Sequence, residues 1–303
     1  MEPARHDSPK LRRLRVFNVV VTALVYCAQN AGRLFVVAFL PCLLEAASRL
    51  ALEWLIYRDP SDMPALLVSH DFNPPTWLSA FATAPWIAMA WSFLLRDMND
   101  QDTYRGLITA RILRRARLRF ELNRAILLAA AIFAADSLFE GLVKRVDREI
   151  LYAVASSYEF LPSDGTLAAW GLLSQLIQTF LVATVSAWLG VMAGRLLIQE
   201  GSGILGAWRL MRGNRLRLGV IFFLLNIALM GLDHVLDPAK TWIVRSLTNP
   251  LSWTLTEATL RHVVDFPFGI LWILTWSVTI GIVLDALEGA RAQSGKTATP
   301  LPA

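Results

Sequence analysis

Cysteine and histidine are scarce in this chain, with two Cys and four His among 303 residues. Cys27 and Cys42 both fall in the first apolar region, so count and spacing exclude a disulfide scaffold and a thiolate metal cluster. The sequence has no HExxH, no GxSxG and no Gly-rich dinucleotide fingerprint, which removes the ready-made constellations of metalloproteases, serine hydrolases and nucleotide-cofactor enzymes. Ser294-Gly295-Lys296-Thr297 imitates the end of a phosphate loop, but Gly289 is one residue out of register and no strand precedes it. Polar sequence is also short: only 17% of residues are charged, and nowhere do they accumulate into a soluble domain of ordinary size. No cofactor is implied, and residues 1–303 read as one membrane domain, with 289–303 a flexible tail.

What the chain has in abundance is long apolar runs. With 55% hydrophobic residues and a mean hydropathy of +0.47, six segments approach the ~20 residues that ~30 Å of hydrocarbon requires. They are 34–57, 77–95, 125–143, 167–198, 218–236 and 266–287. Lys and Arg sort cleanly between them. Of the 29, six lie in the stretch through Arg33, eight between Arg96 and Arg124, five between Arg195 and Arg217, and two in the tail. Every second junction is therefore basic, and because basic loops stay inside, both termini are expected in the cytoplasm of a bacterium, with the chain multi-pass in the inner membrane. The net charge of +5 suits anionic headgroups beside the spans, and no separate basic domain points to nucleic acid. The basic N-terminus before the run Val16–Ala28 mimics a signal peptide. Tyr26 spoils the small-residue site before Cys27, and a span follows directly, so cleavage is not expected.

Self-similarity adds organisation. Asn30, Asn123 and Asn214 each stand just before a span, beside Arg33, Arg124 and Arg217. The regular interval predicts three tandem hairpins, an all-α membrane fold of six transmembrane helices with amphipathic helices at both interfaces. Residues 201–217, with Ile204, Trp208 and Met211 on one face, are expected to lie in the cytoplasmic interface, and 105–122 to be their more basic equivalent. On the outer side, 145–161 reads as a short helix lying on the leaflet, and Asp237-Pro238 as the start of another. Trp54, Tyr57, Trp77, Trp170, Trp242 and Trp253 form an aromatic belt at that level. The fourth span is too long to cross upright, so it tilts, kinks or projects. Its Gly190 and Gly194 form a GxxxG pair, expected to mark a close helix contact or a homodimer face.

The stretch GILGAWRLMRGNRLRLGVIFFLLNIAL, residues 203–229, resembles the repeated entry motif of bacterial six-helix membrane proteins related to the membrane domain of glycerophosphodiester phosphodiesterases. The positions that carry it are Trp208, Arg209, Leu210, Gly213 and Arg215, with Gln199-Glu200 ahead. The first two units lack the Trp-Arg-Leu. The resemblance implies the six-span layout and no activity, because the phosphodiesterase catalytic domain is a separate unit for which this chain is too short.

Ionisable residues inside spans are costly and are candidates for function. Glu45 and Arg49, Asp136 and Glu140, and Asp233 and His234 lie in the first, third and fifth spans, in their middle or outer parts. Facing inward, they would form one polar cluster open to the outer side; facing one another in pairs, they would only set helix register. His234-Val-Leu-Asp237 and His262-Val-Val-Asp265 would suit a divalent metal only if both pairs converged, and no metal ligand is assigned. The pattern favours a non-enzymatic protein that handles lipid or a small hydrophobic solute or scaffolds a membrane complex. The alternative is an intramembrane hydrolase or transferase using the outer acids and His234.

Overall fold

The computed structural model describes residues 14–56, 74–99, 124–157, 164–198, 204–247 and 255–296. Apart from Leu14, Arg15, Asn30 and the turn 211–214, every described residue is helical. The helices are α1 (Val16–Gln29), α2 (Ala31–Ile56), α3 (Pro74–Asn99), α4 (Arg124–Ser157), α5 (Asp164–Ile198), α6 (Ile204–Leu210), α7 (Arg215–Leu247) and α8 (Leu255–Lys296). Five contain stretches long and apolar enough to cross a membrane: Ala31–Leu52, Ala125–Val146, Gly171–Ile198, Arg215–Leu247 and Thr259–Glu288. The sixth long helix, α3, has 26 residues, about 39 Å at ~1.5 Å each, and packs among them. Helices of this length with apolar side chains turned outward suit a bilayer. Phe35, Phe39, Leu43, Leu172, Leu176 and Ile177 are all exposed, a surface that water would penalise and lipid does not.

Packing divides the six long helices into two sets. α3, α5 and α8 contact one another and form an inner triangle. Each of the others covers one edge: α2 lies against α3 and α8, α4 against α3 and α5, and α7 against α5 and α8. Burial follows the same division. Half or more of the apolar window is buried in α5 and α8 (50% and 56%), against 28%, 22% and 39% in α2, α4 and α7. The three hairpins α2/α3, α4/α5 and α7/α8 thus repeat around a pseudo-threefold axis, each giving one inner and one outer helix. Their registers are antiparallel, as Arg33–Asp97, Asp136–Ser186 and Asn226–Trp276 record.

The inner helices approach closely because small residues line their contact. A Cβ added at Gly194 would stand 2.6 Å from Ile280 Cγ2 and 3.2 Å from Leu284, and one at Gly190 3.2 Å from Trp91. Gly281 makes the same approach to Met98 at 2.9 Å. The GxxxG pair therefore serves contact within the chain and is not free as a homodimer face. Hydroxyls on α8 need no outside partner: Thr275, Ser277 and Thr279 donate to the carbonyls of Leu271, Leu274 and Thr275, as polar side chains in lipid must find some acceptor.

The repeat is visible at the helix starts. α2 opens directly after Asn30 and α7 directly after Asn214, and the described part of α4 begins directly after Asn123. Before α7, α6 packs on α5, the inner helix of the preceding unit; before α2, α1 packs chiefly on α8, which precedes it in the cyclic order, and on α7. Gly213 makes the turn into α7 at φ 83°, a conformation open to glycine at no steric cost. The buried Asn214 then accepts from the Leu14 amide at 2.9 Å, while Arg217 donates to the Leu14 carbonyl at 2.9 Å. The first entry helix is tied to the third unit, which closes the ring.

Several sequence expectations need correction. The helix expected on the outer leaflet at 145–161 does not break away; α4 continues unbroken through Ser157, since nothing between Leu142 and Ser157 interrupts the backbone ladder and charge alone does not end a helix. Pro238 does not start a helix but lies inside α7, where Lys240 and the buried Val244 fasten the following turns to the bundle. Residues 289–296, expected in a flexible tail, continue α8, and 297–303 lie outside the described residues. Of the helix expected at 201–217, the described residues form α6 and, from Arg215, the start of α7, with Met211 buried in the turn between them and Ile204 exposed; 201–203 lie outside the described residues. Residues 105–122 lie outside the described residues, as do Tyr57, Trp253 and the side chains of Trp54, Trp77 and Trp170.

Candidate functional site

Ion pairs mark the two ends of the bundle. At one end, called here the basic end, Arg33 meets Asp97 at 2.7 Å with a second bond to its main-chain oxygen, and Arg195 meets Glu288 at 3.4 Å. Arg215 lies 3.6 Å over the Trp208 ring. At the far end the candidate acids separate into three groups. Glu45 and Arg49 pair with each other along α2 at 2.9 Å. Asp233 and Asp265 both bond Lys240, joining α7 to α8. His234 is exposed. The single cluster imagined from the sequence is not assembled, because the outer helices that carry these acids are held apart by the inner triangle.

Of the candidate acids, Asp136 and Glu140 border a cavity among the described residues. It has a volume of about 440 Å³ and is enclosed by α3, α4, α5, α7 and α8. Its inner wall is aromatic, built from Trp91, Phe133, Trp272 and Trp276. Neighbouring rings fix these in place: Phe133 meets Trp91 edge-on at 4.8 Å, Phe222 meets Trp276 at 4.7 Å, and the Trp276 indole donates to Asn226 at 3.1 Å. Asp136 accepts from Ser186 at 2.6 Å. Ser186 stands near the middle of the apolar stretch Gly171–Ile198, so this partly buried carboxyl sits near mid-span. Toward the far end the walls turn polar with Gln175, Gln178 and Thr179, and Glu140 pairs with Lys144 at 2.7 Å at a half-exposed mouth.

Sequence reasoning missed most of these walls. Gln175, Gln178, Thr179 and Ser186 recur at helical spacing along α5, a polar stripe in a span, and that signal was available. The aromatic wall was not, since Trp91 and Trp276 belong to different hairpins and periodicity does not report which faces converge.

Chemically, the site offers one deep carboxyl, amide and hydroxyl groups, and ring surfaces. It does not offer a nucleophile, base and orienting group in contact. His234 lies outside the cavity lining, and the paired HxxD aspartates are engaged by cations, Asp265 by Lys240 and Asp237 by Arg261 at 3.6 Å. Among the described residues, no three His, Cys, Asp or Glu come together in a way that could hold a metal ion. No family model, curated protein or solved structure matches the chain.

Proposed function

We propose that this chain is an inner-membrane protein that crosses the bilayer six times, with its basic end and both termini in the cytoplasm, and that it binds a lipid or small amphiphilic solute without transforming it. The observation that carries this reading is the cavity: a space of about 440 Å³ that runs from mid-bundle toward the far end, aromatic at its base and polar at its mouth. Ring surfaces beside carboxyl, amide and hydroxyl groups suit a molecule that has both polar and apolar parts. The charge sorting of the sequence supports the orientation. The likeness of residues 203–229 to the phosphodiesterase-associated membrane domains bears on the six-span layout and implies no activity, and we include that relationship in the proposal. The hydrolase reading drew on His234 and the outer acids, which stand in separate groups.

Native mass spectrometry of the protein released from lipid nanodiscs tests the proposal. Wild type should retain a bound amphiphile, and Thr179→Trp, which fills the mouth, should not while keeping its thermal stability. Wild type and variant both emerging bare would overturn it.

A further inference from the structure

Charge balance in the cavity narrows what it takes. Three of its lining residues are charged, Asp136, Glu140 and Lys144, and the last two neutralise each other at the mouth. That leaves Asp136, deep in the bundle, whose bond from Ser186 comes from a neutral hydroxyl; among the described residues no cation pairs with it. An uncompensated carboxylate in so apolar a place is costly, and a cation brought by a ligand would offset that cost. The surrounding walls suit the same ligand. Trp91, Phe133, Trp272 and Trp276 line the inner wall, the Trp276 indole N–H is already spent on Asn226, and ring faces attract ammonium groups electrostatically. A phosphate or carboxylate carried to this depth would meet Asp136 as a like charge, with Lys144 already paired.

We propose that the cavity selects an organic ammonium group, whose nitrogen sits against Asp136 among the Trp and Phe rings. This rests on the reading that the cavity binds an amphiphile. Two sources share this chemistry, a lipid headgroup and a free amphiphilic amine.

Calorimetric titration of the full chain in nanodiscs, with empty discs as reference, distinguishes the outcomes. The probes are octyltrimethylammonium, octyl glucoside and octyl sulfate, which share one chain and differ in head charge. The cation should bind at least about tenfold more tightly than the others, as a ring-face contact added to a desolvated ion pair allows. Asp136→Asn should abolish that preference, so that the cation binds no more tightly than the glucoside. Trp272→Leu, a second variant that leaves the Ser186 bond intact, should weaken cation binding several-fold. Equal binding of all three heads, or cation preference that survives in Asp136→Asn, overturns the ammonium assignment while the amphiphile reading stands. Absence of binding by every probe overturns both. Competition by vesicles containing phosphatidylethanolamine identifies a lipid source, and competition by tetraethylammonium in their absence a free cation; either supports the assignment, and failure of both to compete contradicts it.

Discussion

Gly194 of α5 and Ile280 of α8 pack so tightly that a methyl group on the glycine would stand 2.6 Å from Ile280 Cγ2. Membrane helices lack a hydrophobic drive toward one another and associate by close van der Waals fit, so this contact holds two of the three inner helices. Gly194→Ala should cost about 1–3 kcal/mol by overpacking and lower the thermal midpoint in detergent. Gly190→Ala, with 3.2 Å to Trp91 and 3.3 Å to Ile280, should cost less. Equal midpoints for both variants and wild type would show that the inner triangle is not packed as described.

Asn214 holds the start of α1 through the Leu14 amide, across 200 residues of sequence. Replacing it with Ala leaves a buried donor without its acceptor, a loss of about 1–3 kcal/mol. The effect should be local. Hydrogen exchange should quicken in α1 amides near Leu14 while the middles of α5 and α8 stay protected.

Arg33 and Asp97 join α2 to α3 at the basic end with both side chains mostly covered, 15% and 18% exposed. Arg33→Ala or Asp97→Ala alone should destabilise by about 1–3 kcal/mol, short of a fully buried pair because water still reaches both groups. The double replacement should cost less than the sum of the two, which a thermal-unfolding cycle would read as positive coupling.

Orientation is open to labelling. Cys27 and Cys42 are buried, so new cysteines can be placed without much background. A membrane-impermeant thiol reagent on intact cells should modify Ser157→Cys and Ser246→Cys, and modify Arg212→Cys only after permeabilisation. The reverse pattern would invert the topology.

Five of the six apolar runs were legible from hydropathy as helices long enough to cross a membrane, because each run is bounded by charge, and the three hairpins were legible because Asn30, Asn123 and Asn214 punctuate them at similar intervals. Helix ends were less so. α4 passes Lys144 and α7 passes Pro238, since hydropathy reports depth in the bilayer whereas helix continuity depends on the backbone ladder and on packing beyond it. The candidate acids were found one by one, but their grouping was not. Spacing places Glu45, Asp136 and Asp233 at a depth and leaves the angle around the bundle undetermined. Only the packing shows α2 turned away from the cavity, with Glu45 bound to its own Arg49, and α4 turned toward it.

Photolabelling tests the amphiphile-binding cavity most directly. A short alkyl amphiphile carrying a diazirine, irradiated with the protein in nanodiscs, should attach to peptides containing Phe133–Glu140, Gln175–Ser186 or Trp272–Trp276. Excess unlabelled amphiphile should suppress that attachment. Labelling spread over the lipid-facing residues of α2 and α5, such as Phe39 and Leu172, and insensitive to competitor would contradict the account.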